Sequence, residues 1–194
     1  MNKIIYLEGS RAVGKSTLLS NIKKHHPEVV VIDGAARKEF MFDNSILNEF
    51  IINEKLYLAC AVAQYKVLKT LDTIAVIVKG PFTDAFYAET YGERVFGEQF
   101  LCNNLNEYID MAKQCEPDMI VYLDAPKSVI YERFSLDTKR RTSMNTFLEE
   151  WLDDFDKYYK SNPKTVIIDT TNKEPDDVYK EFYRLVDGLK GDGR

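Results

Sequence analysis

The stretch Gly9-Ser10-Arg11-Ala12-Val13-Gly14-Lys15-Ser16-Thr17 decides the fold of this 194-residue chain. It matches the pattern G-x-x-x-x-G-K-[ST], follows an apolar run typical of a buried strand and precedes a helical pattern, which is the context that the motif requires. Gly9 and Gly14 permit backbone conformations that point successive N–H groups at an anion, and the start of the next helix adds partial positive charge. The stretch therefore predicts a loop that binds the phosphates of a nucleoside triphosphate.

Residue types within this loop suit particular tasks. Lys15 is expected to reach the β- and γ-phosphates, and the Ser16 hydroxyl is expected to be a ligand of Mg²⁺. The first 27 residues carry five Lys and Arg side chains and a single acid, Glu8, although the whole chain has a formal net charge of −5. This local excess of positive charge favours a polyphosphate ligand. The predicted nucleotide-binding residues are Gly9, Ser10, Arg11, Ala12, Val13, Gly14, Lys15, Ser16 and Thr17.

Composition limits the other classes of protein that the chain could belong to. Apolar residues make up 45% and charged residues 29%, as in ordinary globular proteins, and the net negative charge disfavours binding to a nucleic-acid backbone. The longest apolar run, 56–63, is too short for a membrane span, and the first residues predict a strand rather than a secretory signal. Three cysteines without a CxxC spacing favour neither a disulfide framework nor a zinc site. We expect a cytoplasmic protein without nucleic-acid or membrane partners.

Short runs rich in Val and Ile alternate with longer amphipathic stretches, a pattern typical of a parallel sheet in an α/β fold. Because a helical pattern lies between successive strands, right-handed crossovers would place helices on both faces of the sheet. The predicted strands are 3–7, 29–32, 74–78, 119–123 and 165–168. The predicted helices are 16–25, 54–71, 99–115, 126–134, 144–159 and 178–189. We expect one domain over residues 1–190 and a frayed tail at 191–194.

Further stretches match a known group in order and position. They are Tyr6-Leu7-Glu8-Gly9 at the first strand end, Ile32-Asp33-Gly34-Ala35-Ala36-Arg37 at the second, the helix 56–65, and Tyr122-Leu123-Asp124-Ala125-Pro126 followed by Tyr131-Glu132-Arg133. Together with the phosphate loop they resemble the P-loop nucleoside and nucleotide kinases, the deoxynucleoside kinase and thymidylate kinase group. The resemblance covers about residues 1–160.

This resemblance implies the three-layer P-loop NTPase fold, with a five-stranded parallel sheet ordered 2-3-1-4-5 and a short lid at about residues 135–143. It also implies an enzyme that uses ATP and Mg²⁺ to phosphorylate a nucleoside or related small hydroxylic acceptor. The expected partners are therefore the nucleoside triphosphate and a small-molecule acceptor, and a homodimer is left open.

One departure from the group follows the third strand. There the group carries an Asp-Arg pair, in which the Asp supports Mg²⁺ and catalysis and the Arg holds phosphate, whereas this chain has Val78-Lys79. Lys79 keeps a positive charge without the guanidinium fork, and Val78 cannot replace a carboxylate. An arginine of the thymidylate kinase acceptor helix is also missing, with Val62 near its place. The departure keeps a second hypothesis open, an NTP-binding regulator or ATPase that has no small-molecule acceptor.

Two other nucleotide-dependent classes match less well. A switch GTPase needs N-K-x-D, and the nearest match, Asn172-Lys173-Glu174-Pro175, has proline where the carboxylate must be. Asp124 ends an apolar strand in the manner of a Walker B aspartate, but no nearby glutamate is positioned to activate water as an ATPase requires.

Candidate catalytic residues are Lys15, Asp33, Arg133 and Arg140. Asp33 lies just past a strand, at the edge where such sheets bind ligands; the resemblance implies a base on the acceptor hydroxyl, while a water-mediated Mg²⁺ contact and a simple turn or N-cap remain alternatives. Arg133 and Arg140 belong to a basic cluster that could close over the γ-phosphate as a lid, with Arg141 on the nucleotide, or could be a solvated surface run.

The acceptor is expected to contact Asp33, Arg37, Tyr57, Gln64 and Lys79. Arg37 fits either an acceptor phosphate or an ion pair with a nearby acid. Tyr57 and Gln64 lie seven residues apart and share a helix face, so a base could stack among the local aromatic rings while Gln64 binds its edge, although core packing explains most of those rings equally well.

Metal candidates other than Ser16 are carboxylates. Glu8, Asp33 and Asp84 are each close in sequence to the predicted loop or to a strand end, where they could supply the oxygen ligand that Val78 lacks. A helix cap is the alternative for Asp84.

Overall fold

Five parallel strands form the centre of the molecule, in the order β2-β3-β1-β4-β5. The computed structural model describes residues 2–33, 46–97, 100, 105–136 and 147–191. The strands are β1 (Lys3–Glu8), β2 (Val30–Asp33), β3 (Ile74–Val78), β4 (Met119–Asp124) and β5 (Thr165–Asp169). The predicted α/β fold and strand order are confirmed, and every predicted strand lies within one residue of its observed bounds.

Strand β1 is the middle of the sheet, with β3 on one side and β4 on the other. Leu7 is in register with Val78 of β3 and with Val121 of β4, and its side chain is fully buried. β1 connects through α1 to β2 on one side, and its neighbour β3 connects to β4 on the other side. The carboxyl ends of β1 and β3 therefore lie at the topological switch point, where open α/β sheets bind ligands. The phosphate loop begins at this point.

Helices cover both faces of the sheet, because alternate side chains of each buried strand point to opposite sides. They are α1 (Lys15–His25), α2 (Leu47–Leu68), α3 (Pro81–Phe96), α4 (Asn106–Lys113), α5 (Lys127–Leu136), α6 (Phe147–Lys160) and α7 (Pro175–Gly191). Side chains of α1, α5 and α7 share a core with the Leu7 face of β1. Side chains of α3 and α6 pack on the Tyr6 face, and α2, α3 and α4 form a third apolar cluster.

Two helices differ from prediction. The sequence predicted a helix at 99–115 after the third strand, but α3 begins directly after β3, at Pro81. Within 99–115 the structure describes helix α4 at Asn106–Lys113, while residues 99 and 101–104 lie outside the described residues. Gly80-Pro81 is typical of a turn, yet proline is also well suited to the first position of a helix, where no N–H partner is needed. Helix α2 begins at Leu47, seven residues before the predicted start, and its buried polar residues Asn53 and Glu54 had obscured the apolar periodicity.

The predicted lid and tail are only partly described. Residues 135 and 136 complete α5, whereas 137–143 lie outside the described residues. Helix α7 extends to Gly191, and residues 192–194 of the predicted tail also lie outside the described part. The single-domain assignment and the lid stay predictions.

Candidate nucleotide-binding site

The loop between β1 and α1 has the backbone conformation that its glycines allow. Gly9 has φ +129°, and a Cβ at that position would lie 2.3 Å from the carbonyl oxygen of Leu123. Gly14 has φ +108° and is the N-cap of α1, and Ala12 also has a positive φ, of +60°. Because the first N–H groups of α1 have no partner within the helix, the loop and the helix start together form an anion-binding environment.

Lys15 brings its positive charge to the centre of this loop. Its side chain is buried, and its ammonium donates hydrogen bonds of 2.6 Å to the carbonyl oxygens of both Gly9 and Ser10. The lysine therefore folds back over the loop that precedes it, as expected for a group that meets the β- and γ-phosphates. Ser16 and Thr17 are exposed in the first turn of α1, where a bound metal or phosphate can reach their hydroxyls.

A cavity of about 310 Å³ opens beside the loop. Ligand pockets of this kind usually measure about 300–1,000 Å³. Arg133 of α5 forms one wall, since its guanidinium donates to the Thr170 hydroxyl at 3.0 Å and to the Thr170 carbonyl oxygen at 2.6 Å. Thr170 in turn donates to the carbonyl oxygen of Asp124 through its backbone N–H and its hydroxyl. The complete lining is Ala12, Val13, Gly14, Thr17, Leu18, Arg133, Thr170, Lys173, Pro175 and Val178.

Arg133 was expected to act with the lid, and the structure places its guanidinium on Thr170, at the cavity wall. Its catalytic role stays a prediction. Arg140 and Arg141, the other candidates from the basic cluster, lie outside the described residues.

Glu8, the last residue of β1, is the most deeply buried acid of the site. Its side chain is 0% exposed, and both carboxylate oxygens accept hydrogen bonds, from the Gly80 N–H at 2.7 Å and from the Thr83 hydroxyl at 2.6 Å. Burial raises the pKa of Glu8 to about 7, against the opposing effect of these two hydrogen bonds. The nearby positive charges of Lys15 and Lys79 also favour the ionised form. In this arrangement both carboxylate oxygens of Glu8 contact the start of α3. The role of Glu8 as a metal ligand stays a prediction.

Lys79 occupies a strained corner between β3 and α3. Its φ is +56°, a left-handed conformation that costs roughly 1–2 kcal/mol for a residue with a Cβ. The Lys79 N–H donates to the carbonyl oxygen of Leu7 at 3.3 Å, which extends the pairing of the two strands by one residue. At the next position a Cβ would lie 2.7 Å from the Tyr6 ring, so only glycine fits at residue 80.

The other two carboxylates predicted as metal ligands, Asp33 and Asp84, differ in their exposure to solvent. Asp33 is exposed at the end of β2 and is in register with Val78. Because neighbouring strands are about 4.8 Å apart and residues in register point to the same face, Asp33 lies one strand away from the position where the carboxylate is missing. Asp84 is 2% exposed inside the first turn of α3. The N-cap of that helix is Gly80, so the prediction that Asp84 caps it is wrong.

The remaining acceptor candidates are spread over the carboxyl side of the sheet and over α2. Tyr57 and Gln64 are both half-buried on α2, and Lys79 is half-buried at its corner. Arg37 lies outside the described residues. Their contacts with an acceptor stay predictions.

Asp124, which resembles a Walker B aspartate, is held by a lysine that the sequence analysis did not single out. The Lys160 ammonium lies 2.8 Å from Asp124 and 2.7 Å from Asp156. Sequence reasoning also missed Thr170, although it directly follows β5. The rule that drew attention to Asp33, a polar residue after a buried strand, could have found Thr170 as well.

Two general properties of the described residues complete the site. None of their helices combines the length and apolar character that a membrane crossing requires. Their His, Cys, Asp and Glu side chains form no group of three that could hold a metal ion.

Comparisons with known proteins support the fold. No family model and no curated protein matches the chain. Among solved structures it is similar to a deoxyadenosine kinase from M. mycoides, with a TM-score of 0.71, 15% identity and coverage of 95% of this chain and 99% of that chain. It is also similar to a thymidylate kinase from Candida albicans, with a TM-score of 0.61, 15% identity and coverage of 97% of this chain and 92% of that chain. A third similar structure is a sugar kinase from Janibacter sp., with a TM-score of 0.59, 13% identity and coverage of 96% of this chain and 95% of that chain.

Proposed function

We propose that the chain is a phosphotransferase that uses ATP with Mg²⁺ to phosphorylate a hydroxyl group of a nucleoside or a related small acceptor. The observation that carries this proposal is the position of Lys15, whose ammonium lies over the Gly9 and Ser10 carbonyl groups at the carboxyl end of the central strand. The shared fold with solved nucleoside, nucleotide and sugar kinases supports the reaction class.

The nucleotide would bind with its triphosphate in the loop and its base in the adjacent cavity. Arg133 offers a planar guanidinium that can stack on a base, and Thr170 holds that guanidinium in place. Pro175 and Val178 add apolar surface to the same cavity. The loop and the cavity are continuous, since Ala12, Val13 and Gly14 line both.

Phosphoryl transfer depends mainly on positioning and on stabilisation of developing charge. Lys15 would stabilise negative charge on the transferred group, and Asp33 would take the proton from the acceptor hydroxyl onto its carboxylate. The Ser16 hydroxyl would help to hold Mg²⁺, whose positive charge would neutralise part of the charge of the phosphates. The acceptor would approach from the side of α2 and α3, where Tyr57, Gln64 and Lys79 are its predicted contacts.

The test is ADP production with ATP and Mg²⁺, measured without an acceptor and then with nucleosides, deoxynucleosides, nucleoside monophosphates and sugars. The proposal expects one acceptor class to raise the rate at least about 10²-fold over ATP alone, because a bound acceptor replaces a randomly oriented water. ATP binding without stimulation by any member of the panel would contradict it.

A second candidate function is an NTP-binding regulator or ATPase without a small acceptor. This candidate is favoured because Val78 stands, without a carboxylate, in the apolar core where the group has an Asp, and because the Asp124 carboxylate is already paired with Lys160. This candidate expects tight nucleotide binding with slow turnover that no acceptor changes. The homodimer, the cytoplasmic location and the absence of nucleic-acid partners stay predictions.

A further inference from the structure

The junction of β1, β3 and α3 carries more specific contacts than a strand-to-helix connection needs. Glu8 reaches across to Gly80 and Thr83, which are 72 and 75 residues away in sequence. The Tyr6 ring fills the space beside Gly80 and packs edge-on against Phe82, with 5.5 Å between ring centroids. The start of α3 is thereby fixed to the strand that also carries the phosphate loop.

We propose that Glu8 is a positioning residue that couples the phosphate loop to the acceptor side of the site, by holding the Lys79-Gly80 corner and the first turn of α3 in place. This inference rests on the proposed function for its consequence in catalysis, but not for its structural content. Glu8 precedes Gly9 directly, so any displacement of its backbone moves the loop and the α3 contacts together.

The corner needs such support because of its backbone conformation. Lys79 adopts φ +56°, which a residue with a side chain adopts only where the surroundings enforce it. The Gly80 N–H follows this residue and points at the Glu8 carboxylate. Loss of that acceptor leaves a buried N–H group unsatisfied unless the corner turns, and turning would redirect the Lys79 side chain.

Two consecutive hydrogen bonds also connect Glu8 with α6. The Thr83 hydroxyl lies 2.6 Å from Glu8 and 2.6 Å from the hydroxyl of Tyr159, which is fully buried. With Glu8 ionised, Thr83 donates to the carboxylate and Tyr159 donates to Thr83.

The proposal makes hydrogen bonding, rather than negative charge or metal binding, the function of Glu8. Glu8→Gln tests this distinction, because the amide oxygen can accept from the Gly80 N–H while the amide nitrogen donates to Thr83. Thr83 can then donate to Tyr159, so the Gly80 contact keeps its direction while the contacts of Thr83 with residue 8 and with Tyr159 survive with their directions reversed. Glu8→Ala removes both contacts that residue 8 makes.

The experiment compares Glu8→Ala, Glu8→Gln and Thr83→Val with the wild-type chain. Asp118→Ala is the matched control, since the Asp118 carboxylate accepts a hydrogen bond from the Ile4 N–H at 2.8 Å, at the opposite end of the same strand. The first measurement is amide hydrogen exchange of residues 79–84, and the second is the affinity for a non-hydrolysable ATP analogue. The third is kcat and acceptor KM with whichever acceptor the panel identifies.

In Glu8→Ala we expect exchange at 79–84 to accelerate about 10²-fold, because two hydrogen bonds to a charged group are lost. We expect kcat to fall by a similar factor of about 10², while the affinity for the ATP analogue changes less than about 3-fold. Glu8→Gln should stay within about 5-fold of wild type in every measurement, with Thr83→Val between the two variants. Asp118→Ala should lower stability without accelerating exchange at 79–84.

Three results would overturn the inference. One is unchanged exchange at 79–84 in Glu8→Ala. Another is a fall in kcat in Glu8→Gln that is as large as in Glu8→Ala and that high Mg²⁺ reverses, because this result would make Glu8 a metal ligand. The third is an acceleration of amide exchange at residues 79–84 in Asp118→Ala that is as large as in Glu8→Ala. If no acceptor stimulates the wild-type chain, the proposed function fails, yet the exchange measurement still decides the positioning role.

Discussion

The stability of the folded chain should fall as the pH rises from 5 to 8, through the ionisation of Glu8. This acid is fully buried, and its pKa is raised from 4.5 to about 7 mainly by loss of solvation. An acid whose pKa is raised by folding binds more protons in the folded state between the two pKa values. Its contribution is therefore complete below the unfolded pKa, near 4.5, and is lost as the pH rises through the folded pKa, near 7.

The shift of about 2.5 pKa units corresponds to about 3 kcal/mol over the whole range, of which about 2 kcal/mol falls between pH 5 and pH 8. The assay is urea unfolding of wild type and Glu8→Gln at half-unit steps of pH. The variant cannot titrate at this position, so the difference in unfolding free energy, variant minus wild type, should grow by about 2 kcal/mol from pH 5 to pH 8.

Other titrating groups cancel in this difference because both proteins contain them. Asp118 and Asp169, whose pKa values are lowered by hydrogen bonds from Ile4 and Thr171 against the opposing effect of burial, contribute mainly below about pH 4. A difference that stays constant from pH 5 to pH 8 would refute the reasoning, because it would mean that the Glu8 carboxyl keeps an ordinary pKa in the folded state.

Three substitutions test the rest of the site. Gly9→Ala should abolish binding of an ATP analogue in calorimetry, since its Cβ would lie 2.3 Å from the Leu123 carbonyl oxygen at φ +129°; wild-type affinity would show that the loop does not hold the phosphates. Arg133→Met should weaken the same binding by about 10-fold, and an equal loss of affinity for inorganic triphosphate would contradict a contact with the base. Asp33→Asn should lower acceptor-dependent kcat by about 10²–10⁴-fold with unchanged nucleotide affinity, and an unaltered kcat would exclude Asp33 as the base.

The phosphate loop and the positions of the strands were predictable because their signals are local, whereas the strand order was implied by the resemblance to P-loop kinases. Nine consecutive residues carry the loop motif, and each strand contains a short run of apolar residues rich in Val and Ile. Four of the five strands end at an acid, namely Glu8, Asp33, Asp124 and Asp169. The positive φ values at Gly9 and Gly14 agree with the reason for which glycine was expected there.

The start of α3 was not predictable in the same way, since Gly80-Pro81 has one meaning in a turn and another at a helix start. What decides between them is the contact of Gly80 with Glu8 and Tyr6 on another strand. Likewise, the attachment of Arg133 to Thr170 joins residues 37 positions apart. Contacts of this length depend on the assembled sheet, and a single sequence carries no local pattern for them.

The alternation of side chains along the strands shows which acid shares a face of the sheet with Val78, the residue that stands where the kinase group has an Asp. Val78 points to the same face of the sheet as Leu7, toward the core with α1, whereas Glu8 points to the opposite face and contacts α3. Glu8 therefore lies on the face opposite to the position at which residue 78 lacks a carboxylate. Asp33 is in register with Val78 and so points to its face. Among the acids that end the described strands, Asp33 is the one on the Val78 face. If the chain transfers phosphate, Asp33 would act from this face, and Glu8 would act from the opposite face by keeping Lys79 and α3 in position.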